Sequence, residues 1–310
     1  MINSNNGGIQ FGEELIIEII DARIEENNSW EALKSLIAHS CNLRNAHHLY
    51  TSCLYRASLS GKVDIVHDLI EKGADINATR GDYGNALQAA VYGGELEIVK
   101  FLVEEGAYVN AQGGKHGNAL QAAACFGRLK IVKFLVEKGA DANAQGGLYG
   151  NALQAAAYWG KLEIVKFLVE KGADVNAQGG ESGNALQTAA VMGELEIVKF
   201  LVEKYADVNA QGGLYGNALQ AAAFTGQLEI VKFLVENGAD VNAQGGEYGN
   251  ALQAAADEGE LEIVEFLVEK GANVNAQGGK YGTAMQAALN CQIKSTGLSI
   301  VTFLKSKGAH

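Results

Sequence analysis

The 310-residue chain contains no proline at all, only four cysteines, three methionines and two tryptophans. Without proline no folding phase arises from prolyl isomerisation. Cys41, Cys53, Cys125 and Cys291 form no CxxC pair and there is no secretory context, so the sequence implies free thiols and no disulfide framework. No apolar run approaches the roughly 18 residues that a membrane span needs. The start, MINSNNGGIQ, lacks the basic and apolar regions of a signal peptide, and together these point to an intracellular protein, cytoplasmic or nuclear. Nor is there a cationic excess. The net charge is -12 with a pI near 5.0, and glutamate and lysine alternate without making a basic stripe, which argues against a nucleic-acid partner.

What the chain has is repetition. The stretch Leu148 to Gly180, LYGNALQAAAYWGKLEIVKFLVEKGADVNAQGG, recurs at one spacing. Its marker glycine appears at Gly84, Gly117, Gly150, Gly183, Gly216, Gly249 and Gly282, each 33 residues after the last. A fixed period with two apolar helical segments per unit marks a solenoid, in which each unit buries its core against its neighbours. Within one unit, Asn151 is placed to cap a first helix of small residues, Ala152 to Ala157, and Gly160 ends it. Leu162, Ile164, Val165, Phe167, Leu168 and Val169 then set an apolar stripe on a second helix, with Glu163, Lys166, Glu170 and Lys171 toward water. Gly172 suits a left-handed helix end, and Gly179 and Gly180 permit a tight turn.

GNALQAAA, then LEIVKFLVEKGADVNAQGG, resembles the ankyrin repeat, and implies an all-α ankyrin-repeat solenoid of helix pairs with finger loops. Asn-Ala-Leu-Gln stands where that family has Thr-Pro-Leu-His, so Asn replaces the capping Thr and Gln replaces the bracing His. This variant is similar to ankyrin arrays common in filamentous fungi, which bears on source and not on activity. About nine repeats are expected, including degenerate caps. Residues 1–12 read as a disordered N-terminus, 13–50 as a degenerate capping repeat, 51–281 as seven repeats of 33 residues, and 282–310 as a C-terminal cap. In that last unit Thr283 replaces the capping Asn, and about four extra residues fall within Cys291 to Ser299. A weaker similarity links EELIIEII, ALKSLI and LYR to an F-box, which would make the chain a substrate adaptor of a ubiquitin ligase. Against it, Leu54, Tyr55 and Arg56 already fill repeat positions.

Chemistry-bearing patterns mostly dissolve into the repeat. Cys41, His47, His48 and Cys53 cluster in sequence, yet the register puts both cysteines where other copies have alanine, so no metal is assigned. The GGxYGN loops lack the Gly-Lys-Ser/Thr of a phosphate cradle, so no cofactor is assigned either. Gln88, Gln121, Gln154, Gln187, Gln220 and Gln253 form a ladder that reads as a structural brace.

Positions free to vary while the frame stays fixed are the candidates for function. One set closes the first helix: Tyr92, Cys125-Phe126, Tyr158-Trp159, Val191-Met192, Phe224 and Asp257-Glu258. The resemblance implies that these line a concave, partner-binding groove. The other set lies at the finger tips, Asp82-Tyr83, Lys115-His116, Leu148-Tyr149, Glu181-Ser182, Leu214-Tyr215, Glu247-Tyr248 and Lys280-Tyr281, of which Tyr83, His116, Tyr149, Tyr215, Tyr248 and Tyr281 are the site candidates. The leading expectation is a monomeric module that binds a protein or peptide through Tyr92, Phe126, Tyr158, Trp159, Met192 and Phe224, with no catalysis of its own. The alternative is a pocket for an apolar small molecule, or an enzyme with Asp257 and Glu258 as its acid–base pair.

Overall fold

A computed structural model describes residues 46–310. The expected disordered segment, almost all of the N-terminal cap, the F-box-like stretch, Cys41 and the side chains of His47 and His48 lie outside the described residues. Sixteen helices occur among the described residues, and no strand longer than an isolated bridge. They come in pairs: α1 Ala46–Leu59 and α2 Val63–Glu71; α3 Ala86–Gly93 and α4 Leu96–Glu104; α5 Ala119–Cys125 and α6 Leu129–Glu137; α7 Ala152–Tyr158 and α8 Leu162–Glu170. The series continues with α9 Ala185–Met192 and α10 Leu195–Glu203; α11 Ala218–Phe224 and α12 Leu228–Glu236; α13 Ala251–Glu258 and α14 Leu261–Glu269; α15 Ala284–Asn290 and α16 Lys294–Ser306.

The chain divides into two compact units. One holds Glu137–Gly139 with the described residues up to Ala119; the other holds Leu120–Val136 with Ala140–His310. In the first, α1 packs on α3 and α2 on α4. In the second, the first helices stack in the order α7, α9, α11, α13, α15, and the second helices α8, α10, α12, α14, α16 stack beside them.

Composition explains the division of labour. Ala152 to Ala157 are all buried, so the first helix is enclosed on every side, and alanine fills it apart from Leu153 and the bracing Gln154. On the second helix burial is narrower than the sequence stripe. Ile164, Val165 and Leu168 are fully buried, each worth about 1.5–3 kcal/mol, whereas Leu162, Phe167 and Val169 are half-exposed. The Phe167 ring is instead flanked by the ammonium groups of Lys133 and Lys171, 5.8 and 5.7 Å from its centroid.

Loops are braced by polar residues repeated with the frame. At α9, the Asn184 N–H donates to Gln187 Oε1 (2.6 Å) and the Gln187 N–H to Asn184 Oδ1 (2.9 Å), a reciprocal capping box. Gln187 Nε2 then reaches the next hairpin, donating to the carbonyls of Ala210, Gly212 and Gly216 at 3.2, 3.1 and 2.8 Å. A second ladder had no counterpart in the sequence reading. Asn209 donates to the Gly238 carbonyl (3.0 Å) and accepts from the Asp240 N–H (2.8 Å), and Asn143, Asn176 and Asn242 repeat the pattern. Its signal was the unbroken Asn of every GADVNA-type segment.

Each hairpin closes through a bridge such as Gly179 to Gly183. Successive hairpins touch backbone to backbone: a Cβ at Gly150, where φ is +94°, would lie 2.8 Å from the Gly179 carbonyl carbon. Tyr205, at a position that is glycine elsewhere, holds φ +66°, the only non-glycine residue with positive φ among those described.

The two ends of the described array depart from the pattern in different ways. α1 begins at Ala46, ahead of the expected repeat start at residue 51, because residue 51 is Thr where later copies carry the hairpin glycine, so nothing interrupts the helix. The extra residues near the C-terminus do not form a loop. They lengthen α16 to 13 residues, against nine in the other second helices of the second unit, and Thr283 makes the capping box with Gln286. Leu289, Ile293 and Leu298 of this unit are exposed.

Candidate functional site

Within a unit, the 33-residue register brings first-helix ends against finger tips. In the second unit this builds two aromatic clusters and one charged one. Tyr149 lies against Tyr158 with centroids 4.9 Å apart and against Trp159 at 6.4 Å, and Tyr158 and Trp159 meet edge to face at 5.5 Å. Further along, Phe224 is held between two tips: Tyr215 at 5.3 Å and Tyr248 at 4.3 Å. The two tyrosines lie nearly parallel, at 11°. Burial raises the pKa of Tyr149, Tyr215 and Tyr248 above the ordinary phenol value.

At the third position the helix end is acidic. Asp257, its side chain only 9% exposed, lies 3.6 Å from Lys280 Nζ, which also reaches Glu247 at 3.4 Å. The same ammonium sits 4.3 Å from the Tyr248 centroid and 4.8 Å from that of Tyr281. Desolvation opposes the charge on Lys280, but a hydrogen bond with Tyr281 and the nearness of Tyr248, Asp257 and Glu247 outweigh it and hold the ammonium above the usual lysine range. Glu258 is exposed as a residue, but partial desolvation of its carboxyl and then the like charge of Asp257 raise its pKa. Asp257 and Glu258 are therefore not an equivalent free pair: one carboxylate is engaged by a lysine that the sequence reading left out of the site.

Two members of the helix-end set are exposed, Trp159 at the edge of the first cluster (46%) and Met192 (39%). Leu148 and Leu214, variable at the tips but not among the expected site residues, are also exposed, at 60% and 48%. Phe126 is half-buried. Cys125 is buried beneath Tyr149 and Trp159, and desolvation pushes its thiol up to about 11 against their hydrogen bonds. Such a thiol is protonated and unreactive at neutral pH.

In the first unit, Tyr83 stacks on Tyr92 at 3.9 Å, and their hydrogen bond followed by burial pushes Tyr83 up to about 12. His116 is half-buried, and burial, then Lys115, lowers its pKa. Lys115 pairs with Asp82 at 2.9 Å in open solvent, a contact worth little.

A cleft of about 230 Å³ opens beside the first aromatic cluster, lined by Leu148, Tyr149, Tyr158, Glu181, Ser182 and Thr188. Among the described residues no three His, Cys, Asp or Glu side chains converge closely enough to hold a metal ion. The carbonyls of the hairpins from Gly113–Gly117 to Gly278–Gly282 are taken by the amide of the bracing glutamine. No helix among the described residues is long and apolar enough to cross a membrane.

Helix pairs, glycine-closed hairpins and a variable helix-end face define a repeat scaffold. The model of ankyrin repeats (3 copies) matches residues 54–146, 120–212 and 211–278, and the chain belongs to the ankyrin repeat family. Ankyrin repeats are generally protein-interaction modules. No curated protein matches the chain.

Proposed function

We propose that this chain is a protein- or peptide-binding module, without catalysis of its own, that engages its partner through the helix ends and finger tips of the second unit. The carrying observation is the set Leu148, Trp159, Met192 and Leu214: large apolar side chains left in solvent on a scaffold whose stacking is satisfied elsewhere. Exposed apolar groups drawn from neighbouring repeats at corresponding positions are the usual mark of a binding surface. Trp159 supplies the anchor, because it is the largest of the four and its ring is already oriented by Tyr149 and Tyr158. The buried free thiols of Cys53, Cys125 and Cys291 fit a reducing compartment, cytoplasm or nucleus.

The test is selection of peptides from a random displayed library against the purified full chain, followed by calorimetry on the best binders. Trp159→Ala should weaken binding by about 2 kcal/mol, roughly thirtyfold. Unchanged affinity in both Trp159→Ala and Phe126→Ala would remove this face from consideration.

A further inference from the structure

The finger tips carry tyrosine at five of seven positions; Ser182 is the one that has no ring at all. Its surroundings have a filled counterpart in the same molecule, 66 residues on. In the register Tyr149 corresponds to Tyr215, Tyr158 to Phe224 and Ser182 to Tyr248. Phe224 is packed between Tyr215 and Tyr248. Tyr158 has Tyr149 on one side, and where the second tyrosine would come there is the cleft of about 230 Å³, with Ser182 at its wall. The cleft is thus a three-ring stack with its third ring missing.

The other lining groups fit that origin. Thr188 stands where the other copies from Ala89 to Ala287 have alanine, and its hydroxyl is engaged by the Asn184 carbonyl at 2.9 Å, so it borders the cleft without needing a partner of its own. Leu148 adds an apolar wall. Glu181 contributes the one charged side chain, an acceptor on a chain of net charge -12.

We propose that the cleft beside Ser182 binds an aromatic side chain of the partner polypeptide, which completes in trans the stack that Tyr248 completes in cis around Phe224. The ring lies against Tyr158 and is bounded by Tyr149 and Leu148. A phenol is the best fit, since its hydroxyl can donate to the Glu181 carboxylate, and a basic neighbour in the partner is favoured over an acidic one for the same reason. This deepens the peptide-binding reading and rests on it, because it names what the partner presents next to the Trp159 anchor.

The test uses p-cresol, the tyrosine side chain as a free molecule, titrated at millimolar concentration into the isotope-labelled full chain. Amide shifts should move at residues 148–150, 181–183 and 188, and those changes should vanish in Ser182→Tyr, whose new ring fills the cleft. Ser182→Tyr should also raise the melting temperature by several degrees, while Ser182→Ala keeps p-cresol binding. Should Ser182→Tyr fail to fold, Tyr158→Ala removes the platform and must abolish the same shifts. A library-selected peptide should lose at least about tenfold in affinity when its aromatic residue becomes alanine, and the same loss should appear for the parent peptide on Ser182→Tyr. Absence of p-cresol shifts at these amides, or shifts that persist in Ser182→Tyr, overturns the inference while leaving the Trp159 test standing. Binding of p-cresol together with peptides indifferent to their aromatic residue overturns it too, and reassigns the cleft to a small aromatic molecule.

Discussion

Gln187 and Ser182 stand five residues apart at the same hairpin–helix junction, yet glutamine recurs in every copy from Gln88 to Gln286 while Ser182 is alone in its series. The difference follows from what each touches. Gln187 satisfies an N–H of its own repeat and three carbonyls of the next hairpin, all in a water-poor seam, so any replacement strands several polar groups at once. Ser182 borders a cleft open to solvent, where losing a ring costs only the contacts that ring would have made. Uniformity across copies here measures the number of unmade bonds a substitution would leave, and Ser182 varies where few would be left.

The sharpest way to break this contrast is Gln187→Leu, which keeps volume and removes every bond. It should cost about 3 kcal/mol or more in urea unfolding, since buried groups left unpaired cost about 1–3 kcal/mol each. A loss below about 0.5 kcal/mol would reduce the glutamine ladder to decoration. On the other side of the comparison, Trp159→Ala should leave stability within about 1 kcal/mol of the parent while weakening binding about thirtyfold. Large destabilisation would mean that the helix-end aromatics belong to the frame.

Legibility in the sequence divides along the same line. Helix pairs, the Asn151 and Thr283 caps, the left-handed Gly172 and the glutamine brace were readable because 33-residue copies repeat the solution until its logic shows. The stripe on the second helix was read too wide, since periodicity cannot tell the buried Leu168 from Phe167 under its lysines. The asparagine ladder hid inside a motif whose residues all recur, so nothing singled out Asn209 from its neighbours. Lys280 could not be read as a site residue because three of its four contacts, Asp257, Glu247 and the Tyr248 ring, come from segments up to 33 residues away that only stacking brings near it.

Tyr205 tests the frame where it has already been violated. At φ +66° an L-residue with a Cβ is strained by about 1–2 kcal/mol relative to glycine, and the side chain, 89% exposed, recovers little by packing. The asparagine that bonds its carbonyl reaches 3.4 Å, against 3.0–3.1 Å at Gly238, Gly271 and Gly308. Tyr205→Gly should therefore stabilise the chain by about 1 kcal/mol, less the larger unfolded-state entropy of glycine. A lowered melting temperature would show that the tyrosine ring holds something the backbone strain conceals.

The smallest effect tests the edge at the tip where histidine replaces tyrosine. Burial, and then the neighbouring charge of Lys115, lowers the His116 pKa below its ordinary value of 6.5. In the unfolded chain the imidazole takes up its proton near that ordinary value, whereas in the folded chain it does so only at lower pH. Between the two, the unfolded state binds more protons, so the contribution of neutral His116 to stability is present above pH 6.5 and is lost as pH falls through the folded pKa. Replacing it with tyrosine, the residue most common at the other tips, removes the titration and restores a ring. The difference in unfolding free energy between His116→Tyr and the parent should therefore widen from pH 7 to pH 5, in favour of the variant. A difference that stays constant over that range would mean that His116 titrates alike in both states, and that the tip it occupies is as wet as the cleft beside Ser182.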